Sequence, residues 1–259
     1  MDYSEQADGS AEIVLWVNAN PSFKALDLPL LKQLSTHCTV ARWEYRQDWD
    51  EASSLEMAVE LLGEYLQTSN GCPVHLAGHG LSGSIAAIAA ARYPDRVQSL
   101  TLLSVAPQPS LTWQSYYYWQ RLATYCSQER ILAQLAKSLF GPKLPTTIQT
   151  IVALLQKDLW LTPTPHSLAS LQAFTDLKLA VPTLIGSGSC DFVVEPIASE
   201  LWAPQLMPCD RSFSIPDGYY FFHQANPARV AQEMVQFFQS IGPRVTTIES
   251  DRNLAFIIE

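Results

Sequence analysis

Short hydrophobic runs alternate with amphipathic stretches over the first hundred residues of the chain. The first run, residues 13–17 (IVLWV), is apolar and β-branched with little alternation, which is typical of a strand buried on both faces of a parallel sheet. Further strands are predicted at residues 39–43, 73–76 and 97–105. The stretches between them carry apolar residues at helical spacing and cover residues 28–34, 55–66 and 81–92. This alternation predicts βαβ units and a doubly wound, mostly parallel sheet of about 6–8 strands with helices on both faces.

The first predicted helix has a start signal in the sequence. Asp27 precedes it and is a residue type that commonly caps helix N-termini, and Pro29 falls in the first turn. We therefore expect the helix to begin just after Asp27.

The strand–helix alternation stops between residues 107 and 175. This segment has no convincing strand, but it has helical stretches at residues 127–139 and 147–159. It also holds an aromatic cluster, namely Trp113, Tyr116, Tyr117, Tyr118 and Trp119. Strand and helix patterns then return at residues 181–185, 212–215 and 227–238. The pattern predicts one discontinuous core domain, residues 1–106 and 176–259, interrupted by a helical cap at residues 107–175.

Composition narrows the range of partners and locations. The net charge is −9 and no Lys/Arg cluster is present, which argues against nucleic acid or an anionic membrane as a partner. No apolar run reaches the roughly 18 residues that span a bilayer, so we expect no membrane span. Residues 1–11 are polar and acidic, unlike a signal peptide. Five scattered cysteines without C-x-x-C spacing favour a reducing compartment and a cytoplasmic location.

One segment carries a recognisable motif. Residues 74–83 read VHLAGHGLSG, a strand that enters a glycine-bounded turn and opens a helix. The segment resembles the nucleophile elbow of the α/β-hydrolase family, which commonly reads G-H-S-x-G-G. Aligned on that pattern, Gly80 stands where the family has its nucleophilic serine.

The resemblance extends beyond the elbow. Residues 92–97 (RYPDRV) are similar to the family's connection from helix to strand, and residues 179–186 (LAVPTLIG) to its penultimate strand. Asp191 falls where the family has its catalytic acid, and Asn18-Ala19 takes the place of its His-Gly. The resemblance implies an α/β-hydrolase core and a helical cap.

The glycine at position 80 changes the expected chemistry. Glycine adopts the positive-φ geometry of the elbow without strain, so we expect the turn to survive while the attacking Oγ is missing. Ser82 and Ser84 lie in the first turn of the following helix and are interpreted as packing residues. The resemblance implies an oxyanion hole made by the backbone N–H groups of Leu81 and Asn20, which we expect to remain free.

The general base is also in doubt. In residues 217–227 (DGYYFFHQANP), alignment on Pro227 places Tyr220 at the family's catalytic histidine, and alignment on Gly218 places Tyr219 there. A tyrosine with a pKa near 10 stays protonated at pH 7 and is a poor base. His223 then has two interpretations: it is bonded locally in a first helical turn, or a shifted loop brings it to Asp191.

These observations support two hypotheses about function. In the first, the protein is a non-hydrolytic pseudoenzyme with a degraded Ser-His-Asp triad. It would bind a small, partly apolar molecule in a core–cap pocket, or a protein partner. That pocket would be reached by Gly80, Asp191, Asn20 and the tyrosines at 219 and 220, with Trp113 in its lining. In the second, it is an active hydrolase, or a nucleophile-free enzyme that abstracts a proton with an Asp191–His223 dyad.

No cofactor or metal is expected. Three histidines are isolated in the sequence and show no metal-ligand spacing, namely His37, His75 and His166. His79, at the variable position of the elbow, is interpreted as structural.

Overall fold

The protein contains one parallel sheet of six strands. The computed structural model describes residues 12–46, 54–68, 73–163, 177–195, 201–203 and 206–242. Its strands are β1 (Ile13–Asn18), β2 (Thr39–Glu44), β3 (Val74–His79), β4 (Val97–Leu103), β5 (Thr183–Gly188) and β6 (Arg211–Ile215). Their order in the sheet is β2-β1-β3-β4-β5-β6, and every neighbouring pair is parallel. The predicted parallel sheet is confirmed.

Eight α-helices surround or extend this sheet in the described part of the chain. They are α1 (Lys24–Leu34), α2 (Leu55–Thr68), α3 (Leu81–Arg92), α4 (Trp113–Ala123), α5 (Gln128–Phe140), α6 (Ile148–Leu161), α7 (Phe222–Ala225) and α8 (Pro227–Ile241). Short 3-10 helices at Pro21–Phe23 and Pro94–Arg96 precede α1 and β4. None of the described helices is long and apolar enough to cross a membrane.

Both faces of the sheet are covered, as the alternation along β1 illustrates. Leu15 and Val17 pack with the apolar residues of α2 and α3, whereas Val14 and Trp16 pack with those of α1 and α8. Successive side chains of a strand point to opposite faces, so a strand apolar at every position must be buried on both. The predicted doubly wound arrangement is therefore confirmed.

Three consecutive helices, α4, α5 and α6, lie between β4 and β5. We call residues 107–163 the helical insertion, and no sheet strand falls within it. Each helix begins at a hydroxyl residue whose side chain accepts a backbone N–H, at Thr112, Ser127 and Thr147. Apolar residues of the three helices form one cluster with Phe23, Val193 and other residues of the core. The predicted boundary of the cap at residue 175 lies outside the described residues, so that division stays a prediction.

The predicted start of α1 is wrong. The helix begins at Lys24, and Asp27 lies inside its first turn rather than at the N-cap. Asp27 is buried and its carboxylate accepts hydrogen bonds from tertiary partners, so its side chain is not available to cap the helix.

Candidate active site

The elbow, residues 78–83, forms the sharp turn that its sequence predicts. Strand β3 ends at His79, helix α3 begins at Leu81, and Gly80 between them has φ 53° and ψ −126°. The Gly80 N–H donates to the carbonyl of Leu103 (2.9 Å), and its carbonyl accepts from the N–H of Ser84 (3.1 Å). This backbone region is costly for residues with a side chain, so glycine suits the turn.

Tyr220 occupies the space beside Gly80. A Cβ built on Gly80 would overlap the hydroxyl oxygen of Tyr220, and the ring carbon that bears the hydroxyl would lie 3.1 Å away. Tyr220 is buried, with 3% of its surface exposed. A side chain at position 80 is therefore disfavoured for two reasons. The backbone conformation is strained for residues other than glycine, and the phenol of Tyr220 fills the space that a Cβ would need.

The backbone of Tyr220 is held in place by two hydrogen bonds to its carbonyl. His79 donates from Nε2 (2.8 Å) and Ser104 donates from Oγ (3.0 Å). The His79 ring also packs edge-on against the Tyr220 ring, with 4.5 Å between ring centroids. Burial, followed by the neighbouring His223, lowers the pKa of His79 well below its usual value, so it is neutral. Since a carbonyl only accepts, neutral His79 carries its proton on Nε2.

Tyr220 itself is a weak acid in this environment. Burial raises its pKa well above the usual value, and the nearby Asp191 and Asp158 raise it further. A protonated phenol is a hydrogen-bond donor or acceptor but not a general base at neutral pH.

Asp191 follows β5 and lies in a turn. Its Oδ1 accepts from the N–H groups of Val193 (2.9 Å) and Val194 (3.1 Å), while its Oδ2 has no hydrogen-bond partner among the described residues. Burial raises the pKa of Asp191 to about 6, and the N–H groups of Val193 and Val194 oppose that rise. The Ser104 hydroxyl donates its hydrogen to the Tyr220 carbonyl, so it is not a donor to Asp191 Oδ2.

His223 does not form a dyad with Asp191, which corrects the prediction. Its Nε2 donates to Asp27 Oδ1 over 3.1 Å, and its Nδ1 has no partner among the described residues. Asp27 Oδ2 accepts from the indole N–H of Trp16 (3.0 Å), so this carboxylate serves two donors. The other interpretation, a locally bonded His223, is also wrong, because the partner of His223 is 196 positions away in the chain.

The predicted oxyanion donors are not both free. The N–H of Asn20 donates to Asn18 Oδ1 (2.9 Å), and the N–H of Ala19 donates to Ser82 Oγ (2.9 Å). The prediction that Asn20 offers a free donor is therefore wrong. Ser82, interpreted above as a packing residue, also donates to Asn20 Oδ1 (3.3 Å) and thereby fastens the loop after β1 to α3.

The side chain of Asn20 belongs to a network centred on Asp158, a residue that sequence reasoning missed. Asp158, in α6, is fully buried. Its carboxylate accepts from Asn20 Nδ2 (3.2 and 3.3 Å), Thr162 Oγ1 (2.7 Å), Trp113 Nε1 (3.2 Å) and Gln114 Nε2 (2.8 Å). Burial raises the pKa of Asp158 to about 7, and these donors oppose the rise. The network links the helical insertion to the loop after β1.

A signal for Asp158 exists in the sequence. Asp158 continues the buried face of α6 that Ile151 and Leu155 define, since the three residues are four and three positions apart. A lone carboxylate on an apolar face needs several hydrogen-bond donors, so this position predicts a buried polar network.

Two further predicted pocket residues lie elsewhere. Trp113 is buried, donates to Asp158 and packs near Phe23, with 6.1 Å between ring centroids. The ring of Tyr219 lies against Gly141 at the end of α5, where a Cβ would overlap it. The structure therefore places Tyr220, but not Tyr219, beside Gly80.

A small cavity lies next to the elbow. Its volume is about 10 Å³, and it is lined by Trp16, Val17, Asn18, Asn20, Phe23, Asp27, His79 and Ser82. This is about the space of one water molecule. Neither Gly80 nor Asp191 borders it, so it is not the predicted core–cap pocket. Within the described ranges, no group of three or more His, Cys, Asp or Glu side chains is arranged to hold a metal ion.

Comparison with known proteins identifies two relatives by sequence. The Nostoc sp. uncharacterized protein alr2406 is 39% identical over 226 residues, which cover 87% of this chain and 90% of that protein. The Synechocystis sp. uncharacterized protein sll0249 is 36% identical over 228 residues, which cover 88% of this chain and 90% of that protein. No family model matches the chain.

Solved structures show the same fold at low sequence identity. The carboxylesterase CesB from Bacillus subtilis superposes with a TM-score of 0.69 at 17% identity, covering 90% of this chain and 85% of that one. A meta-cleavage product hydrolase from Pseudomonas fluorescens superposes with a TM-score of 0.66 at 15% identity, and the match covers 89% of this chain and 92% of that one. A putative lipase from Acinetobacter baumannii superposes with a TM-score of 0.69 at 18% identity, and the match covers 90% of this chain and 85% of that one. The chain thus has the α/β-hydrolase fold and belongs to one family with the Nostoc and Synechocystis proteins.

Proposed function

We propose that this protein is a non-hydrolytic member of the α/β-hydrolase fold that acts by binding. The observation that carries the proposal is the position of Tyr220. Its hydroxyl fills the volume where a side chain at Gly80 would begin. A serine-type acyl transfer needs an Oγ at the elbow, and neither the atom nor the space for it is present.

The other parts of a serine hydrolase site support the same conclusion. The residue aligned with the base is a phenol, and burial raises its pKa well above the usual value. The N–H of Asn20, aligned with an oxyanion-hole donor, is bonded to Asn18. Loss of either the nucleophile or the base alone costs a serine hydrolase on the order of 10⁶ in turnover. The esterase and lipase activities named for the structural neighbours therefore do not transfer to this chain.

The alternative, an enzyme that uses an Asp191–His223 dyad, has no support from the geometry. His223 is fully buried and donates to Asp27. A base must lie within hydrogen-bond reach of the proton that it abstracts. His223 is buried and bonded to Asp27, so it cannot accept a proton from a substrate bound at Gly80.

Binding at the elbow is also disfavoured by Tyr220. A small molecule held between Gly80 and the helical insertion would have to displace the buried side chain of Tyr220. The backbone carbonyl of this residue accepts two hydrogen bonds, which hold it in place. Of the two predicted kinds of partner, we therefore favour one that contacts the outer surface of the molecule over a ligand in the core–cap pocket.

The test is hydrolysis and active-site labelling of the purified protein. We expect no turnover of p-nitrophenyl acetate or butyrate above the rate with heat-denatured protein, and no labelling by a fluorophosphonate serine probe. A Ser82→Ala variant is the matched control, because Ser82 is the hydroxyl closest in sequence to the missing one. Labelling of the wild type that this variant abolishes would make Ser82 a nucleophile and overturn the proposal.

A further inference from the structure

Helix α4 has apolar side chains on the face that points away from the protein. Its inner face buries Trp113 and Tyr117, whereas Trp119 is 67% exposed and Leu122 is 91% exposed. Tyr125, just beyond the end of the helix, is entirely exposed. We call Trp119, Leu122 and Tyr125 the exposed tip. A surface helix normally places polar residues on its outer face, so large apolar groups at three-residue spacing indicate a contact surface.

The segment of the chain that carries the exposed tip has a net charge opposite in sign to that of the whole chain. Residues 107–175 hold five of the 16 Lys and Arg residues but only two of the 25 Asp and Glu residues, one of which is the buried Asp158. All five cationic side chains are exposed, and none forms an ion pair with a described carboxylate. These side chains are Arg121, Arg130, Lys137, Lys143 and Lys157. An acidic protein therefore carries a basic insertion.

We propose that the exposed tip docks the protein on the surface of a bilayer that contains anionic lipid. Tryptophan and tyrosine prefer the interface between headgroups and acyl chains, because their rings are apolar at one end and polar at the other. The exposed Lys and Arg side chains of the same insertion would be attracted to anionic headgroups. The overall charge of −9 argued against an anionic membrane, but the charge is distributed unevenly and the insertion has the opposite sign.

Contact through the exposed tip alone is peripheral, because three side chains at the end of one helix cannot cross a bilayer. None of the described helices is long and apolar enough to do so. Three side chains that enter the headgroup region bury little apolar area and give weak, reversible binding.

A second copy of the chain fits the tip less well. A stable protein interface uses about 20–30 residues on each side, whereas the tip consists of three. Two copies that met through this surface would also bring their cationic insertions together. A bilayer needs neither a large shaped surface nor a matching pocket.

The experiment is co-sedimentation of the purified protein with vesicles at low salt. We expect binding to an equimolar mixture of phosphatidylcholine and phosphatidylglycerol, and weaker binding to phosphatidylcholine alone. Raising the salt concentration should release the protein, because screening shortens the reach of the charges. The variant Trp119→Gln/Leu122→Gln/Tyr125→Gln should bind at least about tenfold more weakly.

Two variants separate the contributions of charge and apolar surface. Arg130→Gln should weaken binding to the anionic vesicles by about fivefold and leave binding to phosphatidylcholine unchanged. Met57→Gln/Leu61→Gln is the matched control, because it removes exposed apolar residues from α2, which carries Glu56, Glu60 and Glu64. It should bind like the wild type. All variants alter exposed side chains, and thermal unfolding verifies that each is folded.

The proposal is overturned if the wild type stays in the supernatant with both kinds of vesicle, or if the tip variant sediments as well as the wild type. It is also overturned if the wild type is a dimer in light scattering that the tip variant converts to a monomer, since the tip would then be a contact between copies. These outcomes are independent of the esterase assay, so the proposed function and the docking surface can fail separately.

Discussion

His223 and Asp27 form a buried hydrogen bond of 3.1 Å that joins α7 to the first turn of α1. The two residues are 196 positions apart in the chain. His223 has no exposed surface, so the pair ties together distant parts of the core and does not face a substrate. A histidine in a hydrolase-like loop can therefore have a purely architectural role.

The first prediction concerns the partner of His223. Asp27→Ala should lower the free energy of unfolding by about 2–4 kcal/mol, because it leaves the Trp16 and His223 donors buried without an acceptor. A double-mutant cycle of Asp27→Ala with His223→Ala should give a coupling of about 0.5–3 kcal/mol. The matched cycle of Asp191→Ala with His223→Ala should be additive to within about 0.5 kcal/mol. Urea denaturation measures all of these, and coupling to Asp191 alone would restore the dyad hypothesis.

The second prediction concerns the contact between Gly80 and Tyr220. Gly80→Ala should destabilise the fold by about 2–4 kcal/mol, because its Cβ adds backbone strain and overlaps the phenol oxygen. Tyr220→Phe removes that oxygen and leaves a ring carbon 3.1 Å from the new Cβ. The double variant should therefore be more stable than the sum of the two single effects predicts. Additive effects in thermal or urea unfolding would show that the two residues are not in contact.

The third prediction concerns recovery of hydrolysis. Gly80→Ser alone should show no esterase turnover, because its side chain meets Tyr220 and this phenol stands where the family has its base. Gly80→Ser with Tyr220→His should show weak turnover of p-nitrophenyl acetate, since the Asp191 Oδ2 is free to accept from an imidazole. An incomplete oxyanion hole costs about 10²–10³ in turnover, so the rate should stay far below that of a natural hydrolase.

A control for this gain is the double variant carrying His223→Ala. It should keep the same rate once it is folded, because His223 is bonded to Asp27. If instead Gly80→Ser alone matched the double variant and His223→Ala abolished its activity, His223 would be the base and our alignment of the loop would be wrong.

The fourth prediction concerns pH. The pKa of Asp158 is raised to about 7 and that of Asp191 to about 6, both from a usual value of 3.8. The folded state then holds protons that the unfolded state has already lost, so each carboxyl contributes most stability below pH 4. That contribution declines as pH rises toward 6 for Asp191 and 7 for Asp158. The slope reaches about 1.4 kcal/mol per pH unit for each group.

Asp158→Asn tests the larger of these two effects. It should remove that part of the pH dependence between about pH 4 and 7. It should also destabilise the protein by about 1–3 kcal/mol, because the new amide donor faces side chains that themselves donate to this position. Denaturation at several pH values measures both effects, and a variant with the wild-type slope would contradict the assignment.

Much of the fold could be predicted from the sequence, for a local reason. Strand β1 is apolar at five of its six positions, a composition that is typical of burial on both faces of a sheet. Strands β3 and β4 contain polar residues as well, and their prediction depended on the alternation with helical stretches. The helices α5 and α6 have clear amphipathic spacing. The predicted start of helix α1 was wrong, because Asp27 binds His223, a residue far away in the sequence, instead of capping the helix.

The site was predictable only where the backbone determines it. The turn at Gly80 follows from the glycine pattern, and the alignment brought Tyr220 to its neighbourhood. The hydrogen bonds were not predictable, since Asn20, Ser82 and Asp158 find their partners through tertiary packing. Free oxyanion donors were expected because family geometry was carried over, yet the Asn20 N–H donates to Asn18 Oδ1.

The contact between Tyr220 and Gly80 also limits how the protein can evolve. A mutation that introduced serine at position 80 would lower stability before it could yield any catalysis. Shortening Tyr220 first would leave a void beside a glycine and no immediate benefit. Two changes in either order thus pass through a less stable intermediate, which makes a serine at position 80 difficult to reach by single substitutions.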